Sequence, residues 1–72
     1  MNVENLSEYE LLVWKYVAEG LSTQEMAAKL GIRFEAAQAR IYRLCYQLGL
    51  PDDPTVPKRT QLVRAAQRFY TE

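Results

Sequence analysis

The sequence predicts an all-α fold, and three observations carry that prediction. Two Ser-x-x-Glu stretches, Ser7 to Glu10 and Ser22 to Glu25, each lead into an apolar segment. Both read as capping boxes, in which the serine oxygen accepts from an early helix N–H and the glutamate reaches back to the serine amide. Ala37, Ile41, Leu44 and Leu48 recur at intervals of four, three and four, which gathers them into one stripe at about 100° per residue. No stretch alternates with the period of two that a half-buried strand requires.

The elements follow in order. The first helix starts near Glu8 after the Ser7 cap, with Leu6 and Leu11 placed to form a hydrophobic staple. Val13, Trp14 and Val17 make its inward stripe, Tyr9 and Tyr16 belong to the core or its rim, and Gly20 stops it. A second cap so soon afterwards requires the next helix to turn sharply away. Met26, Ala27 and Leu30 face inward from that short helix, Gly31 supplies the left-handed position that ends it, and Ile32 plugs the core at the turn.

The third helix runs from Arg33 or Phe34 to Leu48, where Gly49 closes it and Leu50 packs back on the last turn. Opposite its core stripe lie Glu35, Ala39, Tyr42 and Tyr46, with Arg40 and Arg43 on one flank and Gln38 and Cys45 on the other. Residues 51–57, PDDPTVP, carry a proline at every third position and read as an extended, semi-rigid surface connector. A last helix over residues 58–70 presents Leu62, Val63, Ala66, Phe69 and Tyr70. This face is broader than one neighbour needs, so part of it is expected to meet a second copy of the chain.

With 72 residues, the chain makes one domain with a small core. Its 49% hydrophobic and 25% charged content is that of a folded globule. The single cysteine, Cys45, forbids an intramolecular disulfide, and without histidine there is no ligand set for zinc. Cys45 reads as a small buried or half-buried apolar residue, and no cofactor is expected. No basic-then-apolar leader opens the sequence, and no apolar run approaches the roughly 20 residues that span a bilayer. A cytoplasmic protein with no membrane partner is therefore expected.

The net charge of zero hides an asymmetry. Residues 1–30 set Lys15 and Lys29 against Glu4, Glu8, Glu10, Glu19 and Glu25, a balance of −3. Residues 31–72 set Arg33, Arg40, Arg43, Lys58, Arg59, Arg64 and Arg68 against Glu35, Asp52, Asp53 and Glu72, a balance of +3. A basic second part is compatible with a phosphate backbone, though so few cations imply modest affinity for a lone monomer. Catalysis finds no support: no Ser/His/Asp set, Gly-rich phosphate loop, metal-ligand cluster or paired carboxylates can be assembled.

From Leu6 to Leu50 the chain resembles, without a gap, the LuxR/GerE-type DNA-binding domain, a four-helix module with a tri-helical helix-turn-helix core. The matching residues are Leu6-Ser7, Glu10, Val17-Ala18-Glu19-Gly20-Leu21-Ser22, Glu25, Ala27, Leu30, Ile32, Leu44 and Leu48-Gly49-Leu50, then Arg59-Thr60-Gln61-Leu62-Val63. The connector around Pro51 to Lys58 is several residues longer than the family's. GLSTQEMAAKLGI and the Arg40-Ile41-Tyr42-Arg43 stretch are also distantly similar to the last DNA-binding region of bacterial sigma factors. The family commonly carries lysines at the positions of Glu35 and Gln38, threonine and valine at Ala36 and Ala37, and histidine or arginine at Arg40. Only Arg40 is retained.

The resemblance implies one helix-turn-helix domain over residues 1–72 (core 6–50) that reads duplex DNA with its third helix, as a homodimer. In such a reader Arg33 belongs to the DNA-binding set, Arg40 and Arg43 contact phosphate or guanine, Gln38 pairs with adenine, Glu35 accepts from cytosine, and Tyr42 bonds to the backbone. The alternative is a protein-interaction module of the same fold, binding a transcription factor or RNA polymerase subunit. Tyr42, Tyr46, Leu62, Ala66 and Phe69 are its expected interface. Plainer readings stand beside these: Tyr42 and Tyr46 as incidental exposure, Arg40 and Arg43 as a solvated pair bonded to Glu35 or nearby acids, and Lys58 and Arg59 as surface charge or phosphate contacts.

Overall fold

A computed structural model describes residues 6–71, the side chains of Tyr70 and Thr71 excepted. The expectation for Tyr70 therefore lies outside the described residues. The chain folds into four helices, α1 (Glu8–Ala18), α2 (Thr23–Leu30), α3 (Phe34–Gln47) and α4 (Lys58–Thr71), with no strand among the described residues.

Both capping boxes form. Ser7 Oγ accepts from the Glu10 amide at 3.2 Å while Glu10 Oε1 accepts from the Ser7 amide at 3.0 Å. The Ser22–Glu25 box closes at 3.0 and 2.8 Å. Between them, the Leu21 amide donates to Tyr16 O at 3.1 Å, so the chain leaves α1 and enters α2 within a few residues. Gly31, at φ +69°, sits in the left-handed region that ends α2, and the Ile32 amide reaches back to Ala27 O at 3.0 Å. An L-residue with a Cβ would be strained there, which is why this turn uses glycine.

The core is shared by all four helices: Val13, Trp14 and Val17 from α1, Met26 and Ala27 from α2, Ala37, Ile41, Leu44 and Cys45 from α3, and Leu62, Ala65 and Ala66 from α4. Leu6 and Leu48 complete it, with Leu11, Leu30, Ile32 and Leu50 packed against its edge. Trp14 ties the first helix to the last. Its indole Nε1 donates to Leu62 O at 2.9 Å, and its ring stacks on Phe69 with centroids 5.4 Å apart.

Two expectations are corrected. Leu62 and Ala66, expected at a partner interface, are 0% and 3% exposed. The broad apolar face of α4 meets both α1 and α3 of its own chain, so two internal neighbours account for its width. The connector is also not uniformly extended. Asp53 Oδ1 accepts from the Thr55 amide at 2.9 Å and from Thr55 Oγ1 at 2.6 Å, and the Val56 amide donates to Asp53 O at 3.1 Å. An Asp-Pro-Thr sequence offers this side-chain-stabilised turn, which competes with an extended run of prolines.

Candidate nucleic-acid interface

Alternate faces of α3 have opposite surroundings. Ala37, Ile41, Leu44 and Cys45 are buried, whereas Glu35, Ala36, Ala39, Tyr42, Arg43 and Tyr46 face solvent. Tyr46 is 86% exposed and Tyr42 55%. Phe34 at the start of the helix is also largely exposed, a feature the sequence reading did not single out. Its only sequence signal was an apolar residue just ahead of the periodic stripe.

The α3 N-terminus differs from those of α1 and α2. Its cap residue, Arg33, makes no side-chain capping bond, and Glu35 is the acidic residue of the first turn. A carboxylate there interacts favourably with the free N–H groups and the helix dipole.

The cations around α3 divide into bound and free. Arg40 places its guanidinium 4.6 Å from the centroid of the Tyr9 ring on α1. This cation–π contact replaces the pairing with Glu35 considered from sequence, and it orients Arg40 along the α1 side of α3. Arg59 is half-buried and turned inward: it donates to Leu21 O and, at 3.2 Å, to Thr23 Oγ1. It fastens the start of α4 to the α1–α2 turn, a role in neither the surface-charge nor the phosphate reading. Lys58 bridges to Asp52 at 3.0 Å, and that carboxylate holds its ammonium above the usual lysine range. The side chains of Arg33 and Arg43 make no hydrogen bond or ion pair among the described residues.

Gln38 and Tyr42 line a cleft of about 240 Å³ where the start of α2, the flank of α3 and the start of α4 meet, with Thr23, Lys58 and Arg59 on its other walls. Cys45 lies behind it in the core, its thiol 3.8 Å from Lys58 O. Burial pushes that thiol above the usual cysteine range, so it is a packing residue and not a thiolate.

The structure therefore brings Arg33, Glu35, Tyr42, Arg43 and Tyr46 onto the exposed surface of one helix, with Gln38 in the adjoining cleft and Arg40 braced on α1. It leaves Phe69 partly exposed at the far end of α4, and places Leu62 and Ala66 inside. Among the described residues no helix is long and apolar enough to cross a membrane. No family model matches the chain, and no characterised protein or solved structure matches it.

Proposed function

We propose that this chain is a LuxR/GerE-like helix-turn-helix module that binds duplex DNA by laying α3 in the major groove, and that it is a binding module rather than an enzyme. One observation carries the reading: α3 follows a tight turn from α2, locks one face into the core, and turns Arg33 and Arg43 to solvent without a partner among the described residues. Free guanidinium groups on a rigid helix are the groups that pair with phosphate and with guanine edges. Gln38 and Tyr42, at the edge of the α2–α3 cleft, supply an amide and a phenol for adenine and for backbone oxygens. Arg40, held over Tyr9, contributes positive charge from a fixed place.

Modest charge favours action as a homodimer, since two linked weak modules gain by effective concentration. Such pairing would use the exposed end of α4 around Phe69, not Leu62 or Ala66, which the core occupies. Regulation of transcription in the cytoplasm is the role this reading implies.

A second reading is favoured by a separate observation, the exposure of Tyr42, Tyr46 and Phe34 on one helix. Aromatics are enriched at protein interfaces, and α3 would then present these to a transcription factor or polymerase subunit. Fluorescence anisotropy with labelled duplex across a salt series separates the two. DNA binding predicts an affinity that falls steeply with salt, and Arg43→Ala should lower the log–log slope by about 1. No duplex binding at low salt, together with loss of a protein complex in Tyr46→Ala, would instead establish the protein-interaction reading.

A further inference from the structure

A second cleft, of about 210 Å³, lies away from the outward face of α3, between the connector and α4. Its apolar lining comes from Leu50, Pro51 and Val56, and Arg64 and Arg68 stand along it one helical turn apart. Neither arginine side chain has a hydrogen bond or ion pair among the described residues. Side chains at this spacing are neighbours on a helix surface, so two guanidinium groups with no ion pair among the described residues flank one apolar hollow. Asp53 stands at the same rim; Thr55 occupies its Oδ1, and its Oδ2 is not bonded among the described residues.

These groups specify a ligand. Two adjacent guanidinium groups accept a single planar carboxylate in a charge-assisted, forked arrangement. The apolar lining requires a hydrocarbon group attached to that carboxylate, and the Asp53 oxygen favours a nearby N–H donor. A run of phosphates has no apolar group to place in the hollow. The cleft is smaller than the about 300–1,000 Å³ of sites that enclose a small molecule, and it is open along one side. It therefore suits one residue at the end of a chain whose remainder stays in solvent.

We propose that this cleft binds the C-terminal residue of a partner polypeptide, with the terminal carboxylate between Arg64 and Arg68, the apolar side chain on Leu50, Pro51 and Val56, and the last amide N–H on Asp53. The inference is independent of whether α3 binds DNA. The test is a ¹⁵N NMR titration of the full chain with the peptide Gly-Ser-Gly-Gly-Leu, as its free acid and as its C-terminal amide. The free acid should shift amide signals across residues 50–56 and at Arg64 and Arg68, with the amidated peptide weaker by about tenfold or more, the loss expected for a charged hydrogen bond. Arg64→Gln/Arg68→Gln, which alters only exposed side chains, should abolish the difference between the two peptides while leaving the rest of the spectrum in place. Three results would overturn the proposal: equal binding of acid and amide, the same shifts from sodium acetate alone, or displacement of the peptide by duplex DNA at these residues.

Discussion

Helices α3 and α4 are both 14 residues long and both amphipathic, yet they use their surfaces in opposite ways. The apolar face of α4 is covered on two sides by α1 and α3, and one of its cations, Arg59, is turned inward to hold the α1–α2 turn. In α3, a narrower apolar stripe suffices for the core and the rest of the helix, including Tyr42, Arg43 and Tyr46, is left to solvent. A broad apolar face is thus no mark of a partner surface, since the chain's own helices cover that of α4. A partner surface is better marked by large aromatics and unpaired arginines standing outside that face.

The sharpest way to break this contrast is Leu62→Ala. If α4 is an internal strut, the substitution opens a cavity against Trp14 and costs about 2–5 kcal/mol of unfolding free energy in urea denaturation. An interface role would leave monomer stability nearly unchanged. Arg59→Ala comes next: it leaves the half-buried Leu21 carbonyl without its partner and is expected to cost about 1–3 kcal/mol in the same experiment. Arg43→Ala on α3 should stay within about 0.5 kcal/mol of the parent, as for an exposed side chain with no bond among the described residues. Two arginines would then differ in stability as their surroundings differ.

Smaller effects refine the comparison at the entry to α2. Ser22→Ala removes the cap ahead of the α2–α3 pair and should cost about 1 kcal/mol. Glu25 also makes that cap sensitive to acid. The Ser22 amide, then the Ser22 hydroxyl, hold its carboxylate below its ordinary value of 4.5. A depressed folded-state value means that the stabilisation is complete above about 4.5 and is lost as pH falls through the lower folded value. Thr55 acts on Asp53 in the same direction from an ordinary 3.8. Glu25→Gln keeps a cap-competent side chain, so thermal melts between pH 5 and pH 2 should show a shallower acid loss than the parent; an unchanged slope would remove Glu25 from the acid response.

What was legible in the sequence was local. Capping boxes, stop glycines and the stripe from Ala37 to Leu48 involve residues a few positions apart, and the helix bounds follow them closely, α3 ending at Gln47 and α4 running on to Thr71. The outward positions of Glu35, Tyr42, Arg43 and Tyr46 follow from the same periodicity. What was not legible depends on how distant segments meet. Arg40 finds Tyr9 only because α1 packs beside α3, and Arg59 reaches Leu21 across 38 positions of sequence. The burial of Leu62 and Ala66 likewise required knowing that two helices, not one, cover α4. At Asp53 the prolines suggested extension, while a hydroxyl two residues on favoured a turn.

The central claim, that α3 turns its outward side chains to duplex DNA while the apolar face of α4 is held in the core, is tested most directly by following backbone amide signals of the full chain during a low-salt titration with duplex DNA. The account predicts shifts concentrated at Arg33, Glu35, Gln38, Tyr42, Arg43 and Tyr46, with the buried segment around Leu62 and Ala66 unmoved. Shifts confined to α4, or none at any duplex concentration, would contradict it.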